Sequence, residues 1–180
     1  MTTTTTLLDE VLPEFDFRSR HARRVAAPPE WVAEAFDICR LGRPARILFR
    51  IRGIQHPPGS IREAFEGPGF TVLAERPGVE TVAGTAGQFW KLREEASLEP
   101  PPDLQAFHAF DRPGWAKGAI SLRIEPLEDG STRVTTETRV RCVDDAARRR
   151  FAIYWLLIRA FGGWLRRYVL RRVARMVETP

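Results

Sequence analysis

Apolar positions in the last part of the chain recur at helical intervals. Between residues 144 and 177, Phe151, Trp155, Ile158, Gly162, Leu165, Val169, Val173 and Met176 follow one another at steps of four, three, four, three, four, four and three. On a wheel of about 100° per residue these form one narrow stripe. Arg148, Arg149, Arg159, Arg166, Arg167, Arg171 and Arg175 lie off it. The stripe keeps its phase across Gly162-Gly163, which predicts one long helix with room for a bend there, not two helices. Unbroken, it would be on the order of 50 Å long at 1.5 Å per residue, and it needs a broad apolar surface to lie on.

The chain before it supplies such a surface. Residues 15–25 alternate with period two and read as a strand with Phe15, Phe17, Ser19, His21, Arg23 and Val25 on one face. Ala27-Pro28-Pro29-Glu30 stops that strand and suits the first turn of a helix, in which Trp31, Val32, Ala35, Phe36 and Ile38 take helical spacing. Residues 45–54 fit a second helix or an extended connector, and 61–65 a short helical turn. His56, in a Pro-rich loop, is expected at the surface.

Five strand-like runs follow, at 70–76, 80–90, 104–111, 115–125 and 132–143. Pro77-Gly78, Pro100-Pro101-Pro102, Arg112-Pro113-Gly114 and Glu128-Asp129-Gly130 separate them, and the last two separators are hairpin chemistry. Ala116, Gly118, Ile120, Leu122 and Ile124 oppose Lys117, Ser121, Arg123 and Glu125. In the next run Val134, Thr136, Thr138, Val140 and Cys142 oppose Arg133, Glu137, Arg139 and Arg141. One dry and one wet face predict a sheet packed on a single side, with the long helix as its cover. The layout is α+β: a curved antiparallel β-sheet gripping a long C-terminal α-helix. Residues 1–12 read as a polar, disordered lead-in and 13–178 as a single domain.

Length and composition agree with one ordinary globular domain. The chain has 180 residues, 43% apolar and 28% charged, enough for a sizeable core and too apolar for disorder. Met1, five threonines and Leu7-Leu8-Asp9-Glu10 lack the basic start and apolar core of a signal peptide. The longest nearly apolar run, 151–165, is too short for a membrane span and contains Arg159, so a cytoplasmic location is expected. Cys39 and Cys142 have no metal or CxxC spacing and read as buried thiols in a reducing compartment. The net charge of +5 is local. Residues 144–177 hold nine arginines against Asp144 and Asp145, a balance of +7 that leaves about −2 for the rest.

This chain resembles the START-like helix-grip superfamily, also called SRPBCC, which includes birch-pollen-allergen-type, lipid-transfer and polyketide aromatase/cyclase domains. The resemblance rests on the first strand running into Ala27-Pro28-Pro29-Glu30-Trp31-Val32, similar to the family's "ApPEeV" start of the first helix. It rests equally on the strand 132–143 passing through Asp144-Asp145 into the closing helix. It covers residues 15–177 and is topological, with no catalytic signature. It implies a hydrophobic ligand held between the sheet and the last helix; a minority of such proteins are enzymes.

Small residues at Ala83, Gly84, Thr85, Ala86, Gly87, Gly118 and Ala119 would leave room for such a ligand, or mark bulges in a curved sheet. Ser19, His21, Gln88, His108, Tyr154, Trp155 and Ile158 are the candidate ligand-binding residues, apolar walls with a few polar groups. The alternative for each histidine is a satisfied structural side chain. His21, His56 and His108 have no metal spacing, no nucleophile motif is present, and neither metal nor cofactor is expected. Glu80, Asp111, Glu137 and Arg139 could form an acid/base set, yet Glu137 and Arg139 are expected on the wet face.

The leading reading is therefore binding of a hydrophobic small molecule or lipid. A cyclase- or dehydratase-like enzyme using His21 or His108 with Tyr154 is one alternative. Membrane-surface binding through the arginine-rich helix, with Trp164 exposed, is another. Nucleic acid is set aside because no groove-reading motif accompanies the charge.

Overall fold

The computed structural model describes residues 5–51, 58–66, 69–91 and 98–178. The described residues form six strands, β1 (Phe17–Val25), β2 (Thr71–Arg76), β3 (Glu80–Gly87), β4 (Leu98–Glu99), β5 (Ala116–Pro126) and β6 (Thr132–Cys142), and six helices. The helices are α1 (Leu7–Val11), α2 (Pro29–Ile38), α3 (Arg43–Ile51), α4 (Ile61–Glu66), α5 (Leu104–Ala109) and α6 (Asp145–Glu178). The sheet is antiparallel throughout, in the order β1-β6-β5-β3-β2 with β4 beside β3. Gly78 and Gly130, at φ 72° and 78°, close the β2–β3 and β5–β6 turns in the left-handed region that glycine occupies without strain.

The long helix forms as its apolar stripe predicts, continuous for 34 residues through Gly162-Gly163. It starts where the Asp144 carboxylate accepts the N–H groups of Ala147 and Gly114, at 2.7 and 2.5 Å. Its C-terminal half packs with α2 on one end of the sheet, burying Val32, Phe36, Leu170 and Val173 against Val25 and Val134. Burial of each such side chain stabilises the fold by about 1.5–3 kcal/mol. Its N-terminal half packs Phe151 and Tyr154 on Ala116, Val140 and Cys142. The sheet and closing helix are those of the helix-grip fold.

Four expectations are corrected. The run 104–111 is not a strand: Asp103 caps a helix over Leu104–Ala109 by accepting the Ala106 N–H at 2.8 Å. Arg112-Pro113-Gly114 consequently leads from a helix into β5 and closes no hairpin. Residues 5–12 are not disordered. Thr6 and Asp9 form a capping box, and Leu7, Leu8, Val11 and Leu12 pack with Phe107 on Val82 and Ala119.

The expected wet face is covered over its middle, while Arg133 and Arg141 stay exposed as expected. Alternation sorts the residues correctly, but α1 and α5 lie over the second side and bury Lys117, Glu137 and Arg139. These charges are satisfied by one another and by helix ends. Arg139 donates to Glu137 at 2.8 Å, Asp9 at 2.7 Å and the Leu12 carbonyl at 3.0 Å. Lys117 donates to the carbonyls of Phe107 and His108, both at 3.0 Å, at the end of α5. Residues 45–51 belong to helix α3, and His56 lies outside the described residues.

Candidate functional site

A cavity of about 190 Å³ lies between the sheet and the first half of α6. Its floor comes from the inward positions of three neighbouring strands: Thr85 on β3, Gly118 and Ile120 on β5, and Thr138 and Val140 on β6, with Ser19 from β1 at the side. Its roof is Phe151, Tyr154, Trp155, Ile158 and Leu165 of α6, and Phe70 and Phe89 close it laterally. The aromatic wall is continuous. Phe151 sits 4.8 Å from Phe17, 6.0 Å from Phe89 and 5.7 Å from Trp155, ring centre to ring centre.

β5 contributes a glycine to the floor. A Cβ on Gly118 would sit at ordinary contact, 3.6 Å, with Phe89 and Val140, so the position accepts a methyl group without collision. Gly84 serves the opposite face. A side chain there would collide with Leu73 and come within 3.0 Å of Phe107. The small residues along β3 and β5 thus divide into a cavity floor and a seat for α5.

The polar groups cluster at one end. Ser19 and Thr138 stand opposite each other across the β1–β6 ladder. Arg166 reaches back from α6 to donate to the Thr138 hydroxyl, and Ser19 Oγ lies 3.3 Å from His21 Nε2. Gly162 and Gly163 accommodate this cluster. A Cβ on Gly163 would come within 3.3 Å of the His21 ring, and one on Gly162 within 3.3 Å of an Arg166 nitrogen.

Burial lowers the His21 pKa, and the charges of Arg166 and Arg167 act in the same direction. Its imidazole is thus neutral at pH 7. Burial also pulls the Arg166 guanidinium down to about 10, leaving it cationic at neutral pH. Thr85 Oγ1, on the cavity floor, is buried without a hydrogen-bond partner.

Of the residues expected at the site, Ser19, Tyr154, Trp155 and Ile158 line the cavity. His21 adjoins it through Ser19 without reaching its surface. Gln88 donates to the Gly114 carbonyl at 3.0 Å and ties down the loop before β5. His108 is on the far side of the sheet, its Nε2 3.0 Å from the Val11 carbonyl. A strand at 104–111 would have faced it inward, but the α5 helix turns it toward α1. The structure therefore does not bring His108 together with Tyr154.

Arg166, which the wheel assigns to the solvated face, is instead part of the wall. It falls about 60° from Phe151, immediately beside the apolar stripe, and a flexible arginine bridges that gap. Glu80 and Glu137, candidates for acid/base work, are buried on the α1 side, where Glu80 accepts the Leu7 N–H at 2.9 Å. Both cysteines are free and buried, and burial pushes the Cys142 thiol up to about 12. Among the described residues, no group of three His, Cys, Asp or Glu is placed to hold a metal, and no helix is long and apolar enough to cross a membrane.

The Ser19–His21 pair lacks an orienting carboxylate among the described residues. Its cationic surroundings also weaken the imidazole as a base, so the pair suits hydrogen bonding to a ligand better than activating a nucleophile.

No protein-family model matches the sequence, and no curated protein is significantly similar to it. Solved structures that match this chain include these three. Protein CV1439 from Chromobacterium violaceum is 14% identical, with 91% of this chain and 98% of that one covered at a TM-score of 0.39. For TTHA0849 from Thermus thermophilus the values are 12%, 89%, 97% and 0.31, and for Ara h 8.0201 they are 10%, 91%, 99% and 0.30. At this level of superposition, the helix-grip fold of the chain stands on its own strand order and closing helix.

Proposed function

We propose that this protein binds a hydrophobic small molecule, or the acyl chain of a lipid, in the cavity between the sheet and α6. The observation that carries the reading is an apolar cavity of about 190 Å³ floored by Gly118 and roofed by Phe151, Trp155 and Ile158. A large side chain at Gly118 would occupy part of that space, and an engineered apolar cavity of similar size binds benzene. Affinity would come from apolar area removed from water, at about 25 cal/mol per Å².

Native mass spectrometry of the purified protein, followed by denaturing extraction, tests this. A co-purifying lipid or aromatic compound is expected, or uptake from a panel of fatty acids and polyketide-like aromatics. A clean apo mass with no uptake would contradict it.

A second reading has its own observation. Ile153, Leu156, Leu157 and Trp164 on the outer side of α6 are 69%, 72%, 75% and 43% exposed, among arginines at 149, 150, 159, 167 and 171. An apolar ridge flanked by cations suits the surface of an anionic membrane. Salt-sensitive pelleting with phosphatidylglycerol vesicles, lost in L156S/L157S, is the expected result; no pelleting at low salt removes this reading.

A further inference from the structure

The cavity is apolar but carries a net charge. Among the described residues that line it, Arg159 and Arg166 are cations and none is a carboxylate. Arg159 is exposed and marks the mouth. Arg166 is inside. Its Nη2 donates to Thr138, its Nε is sealed from solvent without a partner, and it forms no ion pair with a described carboxylate. Arg139, the buried arginine of the opposite face, shows the usual solution: it is paired with both Glu137 and Asp9. A guanidinium with a sealed, idle Nε and no counter-ion among the described residues is costly. The simplest compensation is an anion that arrives with the ligand.

The surrounding groups fit that role. Ser19 stands opposite Thr138 on the cavity side, so two hydroxyls flank the guanidinium. Thr85 of β3, in register with Gly118 and Val140, lies toward the aromatic end and takes no part in this cluster. Neutral His21 backs Ser19 without adding charge. At the other end the aromatic wall of Phe89, Phe151 and Trp155 offers only apolar surface.

We propose that the ligand is an amphipathic carboxylate, its carboxylate held by Arg166 with the Ser19 and Thr138 hydroxyls and its hydrocarbon body against Phe89, Phe151 and Trp155. This rests on the cavity being the binding site and adds the chemical class of the ligand. Arginine suits the purpose because its planar fork meets both carboxylate oxygens with charge-assisted hydrogen bonds.

Calorimetric titration with decanoate and with decan-1-ol, which share a chain and differ in the charged end, tests the proposal. The wild-type protein should bind decanoate at least tenfold more tightly, about 1.4 kcal/mol. R166M should lose that preference and keep decanol binding, R166K should keep part of it, and S19A should weaken decanoate alone. Far-UV circular dichroism checks that each variant is folded; if R166M is not, the wild-type ratio and R166K decide.

Equal wild-type affinities, or a preference that survives in folded R166M, would overturn the carboxylate assignment while leaving the cavity as an apolar site. Binding of neither probe, together with a clean apo mass, would overturn the assignment and the cavity reading together.

Discussion

Replacing Phe151 by alanine is the sharpest probe of how the closing helix is held. Phe151 is 2% exposed and lies at the centre of an aromatic group. Phe17, Tyr154, Trp155, Phe89 and Trp90 surround it at ring distances of 4.8, 5.6, 5.7, 6.0 and 6.4 Å. Truncating a buried phenylalanine removes its transfer energy and leaves a void, costing about 3–5 kcal/mol. The upper half of that range is expected here. The new void opens into the existing cavity, and the rigid rings around it cannot fold inward to refill it. About 4 kcal/mol should lower the melting temperature by roughly 8–16 °C for a domain of this size. Urea denaturation with linear extrapolation gives the free energy, and calorimetry gives the melting shift. Leu157→Ala, at a position 75% exposed, is the control and should change stability by less than about 0.5 kcal/mol. A loss below about 1 kcal/mol for Phe151→Ala, a third of the least expected of a buried phenylalanine, would refute the reasoning, because it would mean that the aromatic wall collapses freely and the helix is held elsewhere.

Three further outcomes follow from the same geometry. Arg139→Leu leaves Glu137 hydrogen-bonded to Arg18 alone and Asp9 to Thr6 alone, and removes a donor from the Leu12 carbonyl beneath α1; a loss of about 1.5–3 kcal/mol is expected, with faster proteolysis near the N-terminus, and unchanged stability would contradict it. Gly84→Ala should destabilise by about 1–3 kcal/mol through its collision with Leu73 and Phe107, whereas Gly118→Ala, whose Cβ would meet its neighbours at an ordinary contact of 3.6 Å, should fold normally and bind less ligand; equal stability losses would sink the division of the two glycines between faces.

Acid should weaken the fold in two stages. Burial, with Arg166 and Arg167, lowers the His21 pKa below 6.5, so the unfolded chain takes up that proton first and stability begins to fall as pH drops through 6.5. Burial would raise Asp9, but the Thr6 N–H and Arg139 outweigh it and hold the carboxyl at about 2 against 3.8. That contribution is complete above 3.8 and is lost as pH falls toward 2. Urea midpoints against pH should show both limbs, with H21Q flattening the first and D9N the second; an unchanged first limb in H21Q would contradict the His21 assignment.

How much of this was legible in the sequence depended on whether one face of an element decides its fate. The α6 stripe, the period-two faces of β5 and β6 and the run from β1 into α2 are long patterns set by a single apolar side, and the structure follows them. The failures share a cause. Residues 104–109 are six long, too short to separate period two from a helical turn, and the decisive signal was the cap at Asp103. Glu137 and Arg139 alternate as exposed residues do; only the packing of the N-terminal Leu7, Leu8 and Val11 above them makes them buried. Arg166 lies beside the stripe, where arginine reads as solvated, and its direction depends on Gly162 and Thr138, partners that no local pattern links to it. Ser19, Tyr154, Trp155 and Ile158 were within reach because each belongs to the inward face of a long element.

The most direct test of the cavity as the binding site is an isotope-filtered nuclear Overhauser experiment on ¹³C-labelled protein with unlabelled decanoate. Cross-peaks from the acyl chain to the methyl groups of Ile120, Val140 and Ile158, which face the cavity, are predicted. Cross-peaks confined to Ile153, Leu156 and Leu157 on the outer side of α6 would contradict it and place the apolar ligand on the surface of the helix.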